Sequence, residues 1–190
     1  GKESVSDVLR QQNNIADLAF NTLVSLIDYT EIVQGAFYVY DDEKERLVNI
    51  ATYAYGRKKY VNQEFKVGQG LAGQAAFEKD LIYRTEIPDS YVTITSGILG
   101  DKKPSSILIT PLISDEKLQG VIELASVYEE IPKKTIALIE EMSGIIAQTL
   151  FNLKVNARTE NLLEESQKLA ATLKKNEEVL RQNAKEMKHT

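Results

Sequence analysis

The chain contains no cysteine. That absence excludes disulfides, thiolate metal sites, thiol catalysis and thioether attachment of a chromophore. Histidine is nearly missing too, since the single one is His189, close to the C-terminal end. A buried histidine-ligated metal or haem, or a Ser-His-Asp triad inside a globular core, is therefore excluded. Positive charge is in short supply: the formal net charge is −5, and Lys and Arg are mostly interleaved with Glu. Nucleic-acid binding, which needs clustered and uncompensated cations, is disfavoured. No run approaches the roughly 18 apolar residues of a membrane span, and the N-terminus lacks the apolar core of a secretory signal. The expectation is a soluble, cytoplasmic piece of a longer protein, with no nucleic-acid partner, no direct membrane contact and no cofactor.

What is present suits one globular domain with an appendage, given 190 residues of which 43% are hydrophobic. From Ser4 to Tyr29, Val5, Val8, Ile15, Ala19, Leu23 and Leu26 recur at steps of three, four or seven, which predicts a helix. Its first half is polar and projects beyond the core. The period then changes to two. Gly35 to Tyr40 and Arg46 to Tyr55, joined by the acidic link Asp41 to Glu45, predict an antiparallel hairpin. Glu64 to Val67 is a short extended piece, Leu71 to Lys79 a short helix, and Leu81 to Arg84 a short strand. Asp89 to Ser105 has the length of a functional loop and is expected to act as a lid.

Ser106 to Ile113 and Leu118 to Val127 predict a second hairpin around Asp115 and Glu116. Both runs are apolar on both faces, so each side of the sheet must be covered. Pro111 lacks an N–H and predicts a bulge or a local edge. From Pro132 a long helix begins, with Ile136, Ile139, Ile146 and Leu150 on its apolar face. Beyond it, alternating steps of four and three from Val155 give Thr159, Leu162, Ser166, Leu169, Leu173, Asn176, Leu180, Asn183 and Met187. Six of these ten positions are apolar, which predicts a loose two-stranded coiled coil.

Gly68-Gln69-Gly70-Leu71-Ala72-Gly73 has the G-x-G-x-x-G spacing of a dinucleotide fold. Its context does not fit. The preceding Lys59 to Val67 is too polar for a buried strand, and Pro88 interrupts the place of the next one. A kinase glycine loop fits less well, because no following strand carries a Val-Ala-Ile-Lys-like lysine.

The order of helix, hairpin, Gly68–Gly73 run, Pro-containing loop, Ser106–Ile113, Gly120–Ser126 and long helix resembles a GAF domain over residues 15–153. The resemblance implies an α+β fold, GAF/PAS-like, with an antiparallel sheet, helices on one face and pocket loops on the other. It implies a small-molecule-sensing or dimerising module of a signalling protein. The tail, Asn161 to Lys168 through Asn176 to Asn183, is similar to the signalling helix of bacterial sensor histidine kinases. On this basis residues 1–14 are an N-terminal helix extension, 15–153 the sensory domain and 154–190 the coiled-coil helix. The Asn-Lys-Phe-Asp-type signature of cyclic-nucleotide-binding members is missing. Without cysteine there is neither the bilin attachment of phytochrome-type members nor the catalytic thiols of the free methionine sulfoxide reductases. The fragment is therefore expected to be non-catalytic, with an unidentified small-molecule ligand and a homodimer formed through the N- and C-terminal helices. The alternative is a ligand-free dimerisation scaffold.

Glu123 is the sharpest candidate site residue, because an unpaired carboxylate in an apolar strand is costly to bury. Alternation places Val121, Glu123 and Ala125 on one face and Ile122 and Leu124 on the other. Direct ligand contact and satisfaction by loop backbone or by Arg84 are equally open for this carboxylate. Tyr53, Tyr55 and Tyr91 are candidates for lining the cavity or for plain core. Thr93, Thr95 and Ser96 are candidate lid donors, and Arg84 a candidate partner for an anionic group or a surface salt bridge. Gly70 opens a helix N-terminus that could attract an anionic group.

Overall fold

A computed structural model of the chain describes residues 13–54, 57–59, 64–87 and 104–189. In order these form α1 (Asn13–Tyr29), β1 (Gln34–Asp41), β2 (Arg46–Ala54), β3 (Arg57–Lys59), β4 (Glu64–Lys66), α2 (Gly70–Glu78), β5 (Ile82–Arg84), β6 (Ser106–Ser114), β7 (Lys117–Ser126) and α3 (Lys133–His189). The fold is α+β, as expected. The residues of the predicted first helix before Asn13, and the expected lid up to Lys103, lie outside the described residues. The chain divides into two compact units, one ending at Lys154 and the other beginning at Val155.

The first unit is built on a seven-stranded antiparallel sheet of order β3-β2-β1-β7-β6-β5, with β4 also paired to β2. The two predicted hairpins are β1–β2 and β6–β7, and the sheet joins them through β1 and β7. One face is covered by α1 and the first turns of α3. Ile15, Ala19, Leu23 and Leu26 of α1 are buried, and Leu23 approaches Gly35 beside Leu124 so closely that a Cβ on Gly35 would lie 2.9 Å from each. The α3 side chains Ile139, Ile146, Ala147 and Leu150 are also buried. Two buried or half-buried polar contacts fasten α3 to β6, Thr110 to Ser143 at 2.8 Å and Ser114 Oγ donating to Gln148 Oε1 at 2.8 Å. At the end of this unit the Lys154 ammonium donates to the carbonyls of Tyr40 and Gln119, each at 2.9 Å.

The opposite face packs against α2. Ala36, Tyr38, Leu47, Ile82, Ile109 and Val121 of the sheet form one core cluster with Ala72, Ala75 and Ala76 of α2. The small helix side chains let α2 come close to the sheet. The glycine run serves that approach. Gly68 and Gly70 have φ of 91° and 64°, a region that favours glycine, and a Cβ on Gly73 would lie 2.6 Å from the Lys66 carbonyl. The Gly68 N–H donates to the Gly73 carbonyl and the Gln69 N–H to that of Lys66, at 2.7 and 2.9 Å.

Two local irregularities matter. Tyr38 pairs with Asn49 but Phe37 pairs with Ala51, so Ile50 is an extra residue in β2. Such a bulge reverses the facing of everything beyond it. Pro111 sits past the reach of β5, which pairs only with residues 107–109 of β6, and so occupies a local edge as anticipated.

By length and composition, α3 contains a window apolar enough to cross a membrane, at mean hydropathy 1.2. Within the first unit Ile139, Ile146, Ala147 and Leu150 are buried and Ser143 is bonded to Thr110 of β6, whereas Leu138, Ile145 and Phe151 are exposed. In the second unit, Leu162, Leu163, Leu169, Leu173, Val179, Leu180 and Met187 are exposed on the helix.

Candidate functional site

Residues directly opposite one another in an antiparallel sheet share a face. Along the row Ile82, Ile109, Glu123, Ala36 and Thr52, the register therefore places Glu123 on the α2 side, the side opposite Ile122 and Leu124. Its carboxylate is 5% exposed, and the Tyr38 hydroxyl lies 3.5 Å from its Oε2. Burial pushes the Tyr38 phenol pKa far above its ordinary value, with the Glu123 charge and this contact adding to the rise.

The next row reads Arg84, Ile107, Ala125, Gln34 and Ala54. Gln34 thus lies on the same face as Glu123 and diagonal to it, about 7–8 Å away for such a pair. Its side chain is fully buried, and neither its Nε2 nor its Oε1 has a hydrogen-bond partner. Residue-by-residue reading did not single it out. Carrying the alternation of Ala36 and Tyr38 back one step in β1 would have placed a polar amide in the apolar phase.

Asn49 and Thr52 add a second polar group on β2. The Asn49 amide donates to the carbonyls of Phe37 and Ala51 and lies 3.3 Å from Thr52 Oγ1, so the bulge is pinned by its own side chain. Because of that bulge Tyr53 does not join Glu123. It faces α1, where its ring meets Phe20 edge-to-face at 5.5 Å. Arg84 is exposed at the sheet edge, and its guanidinium donates to the Tyr83 carbonyl at 3.2 Å rather than pairing with Glu123. Gly70 is exposed at the first turn of α2, where it serves the turn geometry. Tyr55, Tyr91, Thr93, Thr95 and Ser96 lie outside the described residues. Among the described residues no three His, Asp or Glu side chains cluster as a metal site would require.

A groove of about 460 Å³ lined by Thr85, Ile87, Pro104, Ser105, Glu129 and Glu130 opens at the sheet end where Gln34 lies, beyond the ends of β5 and β7. Sheet, helices and polar side chains together define a class: an α+β module whose sheet carries α1 and α3 on one face, and α2 with buried polar side chains on the other.

Residues 11–150 match the family described as GAF domain, and the chain belongs to that family. No curated protein sequence matches it. Solved structures show the same fold at low identity. The GAF domain of a phosphoenolpyruvate-protein phosphotransferase from Coxiella burnetii is 17% identical with a TM-score of 0.60, covering 84% of this chain and 97% of that one. The GAF domain of a two-component sensor histidine kinase from Bacillus halodurans is 18% identical with a TM-score of 0.58, covering 72% and 93%. Free methionine-R-sulfoxide reductase from Neisseria meningitidis, solved in complex with its substrate, is 21% identical with a TM-score of 0.56, covering 80% and 87%. The fold is thus shared by GAF domains of larger proteins and by an enzyme.

Proposed function

We propose that the chain is the cytoplasmic small-molecule-sensing domain of a bacterial signal-transduction protein, a sensor histidine kinase, and that it carries no catalysis of its own. The observation that carries this reading is the pair of buried polar side chains on one sheet face, the carboxylate of Glu123 and the partnerless amide of Gln34. A buried polar group without a partner costs about 1–3 kcal/mol. Retaining one in a sheet floor is understandable when a ligand supplies the partner. A ligand-free scaffold gains nothing from it.

The Bacillus halodurans relative, named as part of a sensor histidine kinase, supports the parent context. The reductase from Neisseria meningitidis supports an enzyme less well, because the thiols its resemblance implies have no counterpart in a chain without cysteine. The signal passes through the C-terminal helix, paired with that of a second copy of the chain. The exposed apolar residues Leu162, Leu169, Leu173, Leu180 and Met187 fall on the predicted heptad seam, which a parallel partner would bury. Nucleic acid and membrane are not partners in this reading.

Transmission runs through the sheet. Glu123 faces the ligand while its strand neighbours Ile122 and Leu124 pack on the other side, against the layer that holds α3 through Thr110–Ser143 and Ser114–Gln148. A ligand shifts this layer only by the difference in its affinity for two arrangements. Thermal unfolding with fractions of a bacterial small-molecule extract tests the reading. At least one fraction should raise the midpoint of the native chain and leave Glu123→Gln unmoved; no active fraction would sink it.

A further inference from the structure

Gln34 is surrounded by small side chains. Its direct cross-strand neighbours are Ala54 and Ala125, and the next residue of β1 on the same face is Ala36. The strand side chains beside the amide are therefore small, and its buried N–H donor and buried C=O acceptor are both unpartnered. A primary amide offers these two groups side by side in one plane, so its matched partner carries an adjacent acceptor and donor in one plane. By register, the nearest titratable side chain described is the Glu123 carboxylate, which disfavours an anionic group at this spot and accepts a further N–H.

Resting on the sensor reading above, we infer that Gln34 is the residue that selects the ligand, pairing with the lactam or cyclic-imide edge of a flat, uncharged heterocycle. The amide, with only alanine side chains beside it on the strands, reads the N–H/C=O edge of the ring in a two-bond pair. Glu123 receives a second N–H of the same ring system or of its substituent. A ligand whose ring nitrogen is methylated keeps its shape and loses the donor, leaving the Gln34 oxygen unpartnered again.

The test uses matched probes: uracil against 1,3-dimethyluracil, 2-pyridone against N-methyl-2-pyridone, and glutarimide against N-methylglutarimide. Saturation-transfer NMR on the native chain should detect at least one N–H member, bound about tenfold or more tightly than its methylated twin. Gln34→Leu and the nearly isosteric Gln34→Met should erase that preference. The comparison within the native chain stands even where a variant fails to fold. Equal binding of both twins, a preference that survives in Gln34→Met, or no binding by any N–H member overturns the inference. An extract fraction that still stabilises the native chain through Glu123 would then leave the sensor reading standing, whereas no such fraction removes both.

Discussion

The phenol of Tyr38 and the carboxylate of Glu123 meet at 3.5 Å, buried together on the sheet face that α2 covers. The distance is long for an O–H···O bond, so burial rather than the contact dominates the titration. The phenol pKa is raised above its ordinary 10.0 by burial first, then by the Glu123 charge and the hydrogen bond. The unfolded chain therefore releases this proton first as pH rises, and the stability is complete below pH 10 and lost above it. Between pH 10 and 11 urea unfolding should lose about 1 kcal/mol more for the native chain than for Tyr38→Phe. Equal slopes for the two would contradict the assignment.

Lys154 is 3% exposed and holds the carbonyls that end β1 and begin β7. Lys154→Met keeps most of the stem but removes the charged donor, leaving two carbonyls to find other partners. A loss of about 2–4 kcal/mol is expected in urea unfolding. A change under 0.5 kcal/mol, roughly the surface range, would mean that water replaces the ammonium without cost.

Ser143 Oγ donates to the Ile139 carbonyl at 2.6 Å, so its one proton is committed and the 2.8 Å contact to Thr110 has Thr110 as donor. The two deletions are therefore unequal. Ser143→Ala strands the Thr110 hydroxyl in the core and should cost about 1–3 kcal/mol, while Thr110→Val leaves the Ser143 bond intact and should cost about 1 kcal/mol or less. A double-mutant cycle measures the coupling. Equal costs with no coupling would remove this tie between sheet and helix.

The β6–β7 turn places Asp115 and Glu116 at φ of 51° and 64°, the left-handed region at both central positions of a two-residue hairpin. Aspartate tolerates this region in such turns, but glutamate does not favour it. Glu116→Gly should stabilise the chain by about 0.5–1 kcal/mol, raising the melting midpoint by about 2 °C. The Lys79 ammonium bonds the backbone carbonyl of Glu116 at 2.7 Å, so glycine retains that contact. A lowered midpoint would show that the side chain carries more than the turn.

Much of the frame was legible because period and punctuation agree. Gly35 to Tyr40 is rich in aromatic residues as a strand is, Asp115-Glu116 separates two apolar runs, and Pro132 directly precedes the helix that runs to His189. The facing of Glu123 was legible for the same reason, since β7 is regular around it. Tyr53 was not, because the extra residue Ile50 reverses the phase of β2 and no composition signal marks it. Gln34 was missed through its position at the head of β1, where a polar residue before a glycine reads as the end of a loop. The dinucleotide-like spacing of Gly68, Gly70 and Gly73 resolves into two positive φ angles and one close backbone approach.

The most direct test of the account is native mass spectrometry of the chain purified without denaturation, alongside Glu123→Gln. The account predicts a dimer that carries one small molecule per chain, with that added mass reduced or lost in Glu123→Gln. A bare monomer, or a bound mass equally retained by Glu123→Gln, would contradict it.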